Sequence, residues 1–296
     1  MEFPVVASPV YLVVTDLDGS LLDHDTYSCK PALPMLEQLD ALRIPVVFAS
    51  SKTRAEILAL RAELGNEHPF IVENGAAALI PDRYFTHPPK GCVERDGYWV
   101  RDLAPARSTW TTLLDSLRGR FPGAFQDFST AGVDGIMAMT GLSRDAAALA
   151  NEREYSEPVQ WRGTDVGLDA FLAAVREGGA RALRGGRFIS IAGDTDKGRA
   201  WLWLREAYAL AAGGAQIYDL GLGDGQNDVP LLEVTRTAAP IPAQGRPLPA
   251  LERDEGVLLA SGLYGPEAWA HSTREWLRGL YGKALGGDGP VGDSTA

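Results

Sequence analysis

Val13-Val14-Thr15-Asp16-Leu17-Asp18-Gly19-Ser20 joins an apolar run to two acidic residues and a glycine. The run from Tyr11 to Thr15 predicts a buried strand, and Gly19 permits a sharp turn after it. Alternate side chains of an extended chain lie on the same side, so Asp16 and Asp18 face the same way. Acids at the end of a buried strand need a partner such as a metal ion or an electrophile. The stretch therefore predicts an acidic site at the end of a buried strand.

Strand and helix patterns alternate on both sides of a long central segment. The apolar run at residues 44–49 contains several β-branched residues and predicts a strand, and further strands are predicted at residues 70–72 and 217–223. Thr53-Arg54-Ala55-Glu56 forms a capping box and predicts the start of a helix that ends at Gly65. Further helices are predicted over residues 36–42, 198–210, 229–234 and 266–281. Strands separated by helices predict the α/β class, with a Rossmann-like, doubly wound parallel sheet as the core.

The central segment has a different pattern. Between about Arg83 and Ala192 strand candidates such as Ile136–Met139 are isolated, and an Ala-rich helix is predicted from Ser143 to Glu154. This mixture predicts an α+β cap domain inserted into the core. The predicted organisation is a core of residues 1–82 and 193–282, a cap of residues 83–192, and a Gly-rich disordered tail of residues 283–296.

Composition excludes several classes of protein. The chain has 296 residues, 45% of them hydrophobic and 23% charged, which is ordinary for a soluble globular protein. A formal charge of −11 disfavours nucleic acid as a partner, and we expect a small-molecule ligand instead. We find no signal peptide or apolar run long enough to cross a membrane, so the predicted location is the cytoplasm. Cys29 and Cys92 lie far apart, without metal-ligand spacing, and the oligomeric state stays open.

Polar residues follow several of the predicted strands or begin the helix that comes next. In a parallel α/β sheet the carboxyl ends of the strands share one edge, and ligands bind there. We therefore expect these side chains to converge at one site. They are Asp16, Asp18, Ser50, Lys197, Asp224 and Asp228.

The first four of these residues have the chemistry of phosphoryl transfer. Asp16 would attack phosphorus and form an aspartyl-phosphate that water hydrolyses. Asp18 would protonate the leaving oxygen and later deprotonate that water. Ser50 and Lys197 would hold the phosphoryl oxygens, and the lysine would offset the negative charge of the carboxylates.

The acidic residues also predict a Mg²⁺ site. Magnesium prefers hard oxygen ligands, which Asp16, Asp224 and the backbone carbonyl of Asp18 supply. Asp228 would bind the ion through water or orient Asp224. The predicted metal-binding residues are therefore Asp16, Asp18, Asp224 and Asp228.

These features, in this chain order, resemble the haloacid dehalogenase superfamily of phosphohydrolases over nearly the whole chain. The resemblance implies that Asp16 is the nucleophile, Asp18 the acid/base and Asp224 a metal ligand. It also implies an α+β cap at the second insertion point of the fold. Ser20 stands where a threonine is usual and retains the hydroxyl.

Several strings resemble the mannosyl-3-phosphoglycerate phosphatases within that superfamily. This resemblance implies hydrolysis of a mannosylated phosphoglycerate to mannosylglycerate, a compatible solute, and phosphate. The strings are Ser50-Ser51-Lys52-Thr53-Arg54-Ala55-Glu56, Ile71-Val72-Glu73-Asn74-Gly75-Ala76, Arg153-Glu154-Tyr155-Ser156-Glu157-Pro158 and Gly185-Gly186-Arg187-Phe188.

Four polar residues in or beside these strings are candidates for substrate binding. Glu73 and Asn74 offer an acid and an amide, although Asn-Gly is also an ordinary turn signal. Lys52 lies beside Ser50, and Arg187 would suit the glycerate carboxylate, although surface positions are the default for both. Two alternative functions stay open: a phosphatase for glucosyl-3-phosphoglycerate or another sugar phosphate, and a non-catalytic sugar-phosphate sensor.

Overall fold

The computed structural model describes residues 8–184 and 187–285, and for residues 281–285 only the backbone. The strands are β1 (Val10–Thr15), β2 (Val46–Ala49), β3 (Phe70–Val72), β4 (Ala77–Pro81), β5 (Val93–Arg95), β6 (Tyr98–Asp102), β7 (Phe125–Asp127), β8 (Glu157–Trp161), β9 (Arg181–Arg184), β10 (Ile189–Ala192), β11 (Ile217–Gly223) and β12 (Thr237–Pro240). The helices are α1 (Leu33–Ala41), α2 (Arg54–Leu64), α3 (Arg107–Leu117), α4 (Phe128–Thr140), α5 (Arg144–Asn151), α6 (Asp165–Glu177), α7 (Lys197–Ala211), α8 (Val229–Val234) and α9 (Gly265–Leu285). These elements form two compact units. Among the described residues, the larger one comprises residues 8–10, 46–184 and 187–217, and the smaller one comprises residues 11–45 and 218–285.

The smaller unit contains strands in the order β12-β11-β1. Strands β11 and β12 are parallel, with Leu220 paired to Thr237. Three consecutive apolar residues of β1, which are Leu12, Val13 and Val14, are fully buried. Helix α9 contributes the buried Trp269 and Trp276 to this unit. Burial of a continuous apolar run is what a strand covered on both faces requires, so β1 forms as predicted.

One sheet of the larger unit has the strand order β2-β3-β4-β6-β5. Strands β2 and β3 are parallel, whereas β4, β6 and β5 continue the sheet by antiparallel pairing. The predicted capping box at the start of α2 is confirmed, since the Thr53 hydroxyl accepts from the Glu56 amide and the Glu56 carboxylate from the Thr53 amide. Gly65 ends the helix in a left-handed conformation, with a φ of 65°.

The second sheet of the larger unit is antiparallel throughout, in the order β7-β8-β10-β9. Helices α3 and α6 supply much of its buried core, with Trp110, Leu114, Phe171 and Val175 clustered around Val159 of β8. Helices α4 and α5 form a smaller cluster of their own. Parallel strands in one sheet and a separate antiparallel sheet with helices confirm the predicted α/β class with an inserted α+β region.

The structure differs from the sequence expectations at three places. Residues 136–139, expected as a strand, lie in α4, because Ile136 and Met139 are buried at helical spacing. Residues 93–102, expected in the cap, form β5 and β6 and pair with β4, because an antiparallel hairpin extends a sheet without a connecting helix. Helix α9 includes residues 283–285 of the expected disordered tail, and residues 286–296 lie outside the described range.

Within residues 8–184 and 187–285, no helix is both long and apolar enough to span a bilayer. Cys29 and Cys92 are not joined to each other by a disulfide.

Candidate active site

The loop after β1 holds the first two predicted catalytic residues. The Asp16 backbone amide donates to the Leu222 carbonyl of β11 at 2.8 Å, so the start of the loop is attached to the neighbouring strand. The amide of Leu22 donates to the Leu17 carbonyl at 2.8 Å and closes a tight turn. Gly19 lies in that turn with a φ of 82°, a conformation that side chains disfavour. The sequence therefore folds into a fixed loop that keeps Asp16 almost fully buried at the strand end.

Three of the predicted metal-binding acids meet in the smaller unit. Carboxylate oxygens of Asp16, Asp224 and Asp228 all lie within 4.8 Å of one another. Asp224 follows β11 directly, and Asp228 immediately precedes α8. Because β1 and β11 are adjacent in strand order, residues far apart in sequence come together at their ends. The Asp18 side chain is not part of this cluster, and a metal-binding role for its backbone carbonyl stays a prediction.

Backbone contacts hold the acidic cluster in place. Both the Asp224 and the Gly225 amides donate to Oδ2 of Asp228, at 3.1 and 2.9 Å. A Cβ atom built on Gly19 would lie 2.5 Å from Oδ2 of Asp224, so only glycine allows this close approach. Oxygen donors at this spacing in a glycine-lined cradle suit a hard divalent cation such as Mg²⁺. The residues present therefore fit the predicted ion.

The larger unit contains the two predicted phosphate-binding residues. Ser50 comes directly after β2, is fully buried, and accepts a hydrogen bond from the Lys52 amide at 3.2 Å. Lys197 is the first residue of α7 and is also fully buried. Asp196 caps this helix by accepting from the Arg199 amide at 2.9 Å. A buried lysine needs nearby acceptors or negative charge, so its position favours a functional role over a solvated surface role.

Glu73 has a different environment from the one expected of a substrate-binding acid. Its side chain is 1% exposed. Oε1 accepts from the Glu154 amide at 2.8 Å, and Oε2 accepts from the Ser156 amide at 2.8 Å and the Ser156 hydroxyl at 2.5 Å. The expectation that this carboxylate contacts substrate is therefore corrected: hydrogen bonds within the protein occupy both of its oxygens.

The other predicted substrate-binding residues lie in the larger unit at two places. Lys52 is half-buried in the loop after Ser50, and the Asn74 backbone amide donates to the Ser50 carbonyl at 2.9 Å. Arg187 is exposed, donates to the Thr140 carbonyl at the end of α4 at 3.2 Å, and lies 6.0 Å from the Phe188 ring. The structure thus brings Lys52 and Asn74 close to Ser50. Arg187 instead contacts the end of α4 and the ring of Phe188.

Sequence reasoning missed residues that support the site. Arg153 and Ser156 contact the Glu73 carboxylate. Both belong to the string of residues 153–158, for which no role in the site was predicted. Trp269 of α9 donates to the Thr15 hydroxyl at 2.9 Å, and Thr15 precedes Asp16. No local sequence signal joins Thr15 to Trp269, because 254 positions separate them.

Comparisons with known proteins find relatives of this chain among hydrolases of one family. Residues 13–86 match the family of haloacid dehalogenase-like hydrolases. The chain is 34% identical over 223 residues to a glucosyl-3-phosphoglycerate/mannosyl-3-phosphoglycerate phosphatase of Methanococcoides burtonii, an alignment that covers 75% of this chain and 81% of that protein. It is 35% identical over 222 residues to a protein of the same name from Persephonella marina, with the same coverage of both chains.

Solved structures show the same fold. A protein of Thermoplasma acidophilum matches with a TM-score of 0.61 at 18% identity, covering 90% of this chain and 98% of that one. A phosphatase of the haloalkanoate superfamily from Bacteroides thetaiotaomicron matches with a TM-score of 0.60 at 15% identity, covering 95% and 98%. These similarities confirm the predicted Rossmann-like fold with a cap.

The chain therefore belongs to the haloacid dehalogenase-like hydrolases. Its enzyme class is that of the phosphoric monoester hydrolases, as the sequence predicted.

Proposed function

We propose that this enzyme is a Mg²⁺-dependent phosphatase that hydrolyses mannosyl-3-phosphoglycerate, with glucosyl-3-phosphoglycerate as the alternative or additional substrate. The cluster of Asp16, Asp224 and Asp228 carries this proposal, because a phosphatase of this class needs a buried nucleophile beside a cation site. The names of the two relatives indicate the substrate class. We also propose that the enzyme acts in the cytoplasm on this small molecule.

The proposed reaction has two steps that both use Asp16. In the first, a carboxylate oxygen of Asp16 attacks phosphorus, the bond from phosphorus to the glycerate oxygen breaks, and Asp18 donates a proton to that oxygen. In the second, Asp18 takes a proton from a water molecule, whose oxygen attacks phosphorus and releases Asp16 and inorganic phosphate. The first step leaves Asp16 phosphorylated and Asp18 deprotonated, and the second step restores both residues, so the complete cycle leaves the enzyme unchanged.

Positive charge is required because the transferring phosphoryl group and two aspartates are all anionic. Lys197 and Ser50 would bind the phosphoryl oxygens, and Lys197 would lower the repulsion between substrate and the aspartates. Mg²⁺ would be held by the carboxylates of Asp16 and Asp224 and by the Asp18 carbonyl, with Asp228 in a binding or orienting role. When bound, this ion supplies further positive charge to the phosphoryl oxygens.

Contacts with the rest of the substrate are proposed for exposed or half-buried groups. Lys52 and Asn74 lie beside Ser50, so either can reach a group attached to the bound phosphate. Arg187 would pair with the glycerate carboxylate, because a guanidinium binds a carboxylate through two parallel hydrogen bonds. The proposal omits Glu73, whose carboxylate is already engaged.

The test measures phosphate release from mannosyl- and glucosyl-3-phosphoglycerate, with Mg²⁺ and with a chelator. We expect activity on at least one ester only in the presence of Mg²⁺, and we expect D16N to lose it. Release of phosphate by D16N at the wild-type rate would contradict the assignment of the nucleophile. Binding of either ester without any turnover would instead support a non-catalytic sugar-phosphate sensor.

A further inference from the structure

Three consecutive residues between β3 and β4 adopt a left-handed backbone. Glu73, Asn74 and Gly75 have φ values of 47°, 59° and 92°. Residues other than glycine rarely adopt this conformation, and each costs roughly 1–2 kcal/mol there. Strained turns persist only where surrounding contacts fix them, so the surroundings of this turn indicate its role.

The turn holds the loop that contains Ser50. Three consecutive carbonyls of this loop each accept a hydrogen bond from the turn or from its ion-pair partner. The Ser50 carbonyl accepts from the Asn74 amide at 2.9 Å, and the Lys52 carbonyl accepts from the Glu73 amide at 3.0 Å. Between them, the Ser51 carbonyl accepts from Arg153 at 3.3 Å. These three hydrogen bonds hold the backbone of residues 50–52 in place.

The same turn contacts the segment that leads into α7. A Cβ atom built on Gly75 would lie 2.1 Å from the Asp196 carbonyl and 2.8 Å from the Lys197 amide, so the two backbones are packed directly together. The Thr195 hydroxyl donates to the Gly75 carbonyl at 2.7 Å. One short turn therefore lies against both Ser50 and Lys197, the two predicted phosphate-binding residues.

The Glu73 carboxylate joins this turn to residues 153–156. Besides the hydrogen bonds from Glu154 and Ser156, it accepts from the Tyr155 amide at 3.4 and 3.3 Å. Arg153 lies 3.8 Å from Oε2 of Glu73 and donates to the Ser156 hydroxyl at 3.0 Å. Three backbone amides, a hydroxyl and a guanidinium thus surround one buried carboxylate.

We propose that Glu73 is a positioning residue. It sets the spacing between Ser50 and Lys197, and it makes this spacing depend on residues 153–156. The inference rests on the proposed phosphatase function for the roles of Ser50 and Lys197. The backbone of Glu73 holds the Ser50 loop, and the carboxylate of Glu73 keeps Arg153 hydrogen-bonded to the Ser51 carbonyl. Removing the carboxylate charge loosens residues 153–156, releases Arg153 and lets the Ser50 loop shift.

Glu73→Gln is the central variant, because it keeps the shape of the side chain and replaces one oxygen by an NH₂ group. That group would face amide donors and cannot accept from them. We expect kcat to fall about 10- to 100-fold with KM changed less than about threefold, because misplaced groups weaken the transition state more than substrate binding. Hydrogen–deuterium exchange is expected to become faster in peptides covering residues 50–56 and 152–158.

Asp127→Asn is the matched control. Asp127 is also a buried carboxylate that accepts from a backbone amide, Thr130 at 2.9 Å, and from an arginine, Arg118 at 2.6 Å. We expect D127N to lose thermal stability and to keep kcat and the exchange rate of residues 50–56. If E73Q loses as much thermal stability as D127N and also keeps kcat and the exchange rate of residues 50–56, Glu73 has only a structural role and the inference is wrong.

Ser156→Ala removes a single hydroxyl from the Glu73 carboxylate and covers the case in which E73Q does not fold. It is expected to accelerate exchange at residues 50–56 in the same direction, by a smaller amount. Unchanged exchange there in a folded S156A protein overturns the inference. The exchange readout needs no substrate, so absence of wild-type phosphatase activity would refute the proposed function and leave this test intact.

Discussion

The buried carboxylate of Asp228 accepts a hydrogen bond from the backbone amide of Asp224, four positions earlier in the chain. A second hydrogen bond from Gly225 reaches the same oxygen. One acidic residue therefore shapes the loop that holds another in the acidic cluster.

Asp228→Asn is expected to weaken Mg²⁺ binding about 10- to 100-fold, because groups that orient metal ligands typically contribute that much to affinity. Isothermal titration calorimetry, with Mg²⁺ added to the purified protein, measures this affinity. Asp219→Asn is the control, since Asp219 is a buried aspartate of β11 whose carboxylate also accepts a backbone amide, that of Arg236 at 2.6 Å. Equal Mg²⁺ affinity in D228N and D219N would contradict the role given to Asp228.

Gly19→Ala tests the glycine-lined side of the same site. Alanine would be strained at a φ of 82°, and its Cβ would lie 2.5 Å from the Asp224 carboxylate. Gly65→Ala is the control, because Gly65 has a φ of 65° and nothing within 4 Å of the added carbon. Both variants are expected to lose about 1–2 kcal/mol in the free energy of unfolding from backbone strain.

Only G19A is expected to lose Mg²⁺ affinity as well, because only there must a metal-binding carboxylate move. Chemical denaturation and Mg²⁺ titration of both variants separate the two effects. Normal Mg²⁺ affinity in G19A would show that Asp224 is not held against Gly19 in solution.

The sequence predicted local elements well where one signal was sufficient. The bounds of β3, β11 and α8 agree with expectation, and the capping box at Thr53 has both of its hydrogen bonds. The acids near the cation site could also be predicted to meet, because the carboxyl ends of parallel strands share an edge. Short apolar runs were ambiguous, so residues 136–139 were expected as a strand and lie in a helix.

The contacts of the Glu73 carboxylate could not be predicted from its neighbours in the chain. Glu-Asn-Gly signals a turn, and a turn at a strand end is where substrate contacts are expected. The partners of its carboxylate come from residues 153–156, more than 80 positions later. Long-range hydrogen bonds of this kind depend on tertiary packing, which no periodicity or turn signal encodes.

A hydrogen-bonded chain runs from α9 to the loop that contains Asp16. The indole N–H of Trp269 donates to the Thr15 hydroxyl, which donates to the Asp16 carbonyl at 2.6 Å. Thr15→Val keeps the shape and removes the hydroxyl, which leaves the buried indole N–H without this acceptor. We expect a loss of about 1–3 kcal/mol in the free energy of unfolding, measured by urea denaturation. Thr15→Ser retains the hydroxyl and is expected to lose less than T15V. A smaller loss in T15V than in T15S would show that the methyl group, rather than the hydrogen bond, stabilises the loop.

Partial burial raises the pKa of the Cys92 thiol from 9.0 to about 11. The folded protein therefore holds the thiol proton more tightly than the unfolded chain does. The stability gained from the neutral thiol is fully present below pH 9 and declines as the pH rises through 11. At pH 8 the thiolate fraction falls about 100-fold, so alkylation by iodoacetamide is expected to be about 100-fold slower than in the denatured protein. Mass spectrometry of the peptide that contains Cys92, in native protein and in guanidinium, measures both rates, and similar rates would refute the raised pKa.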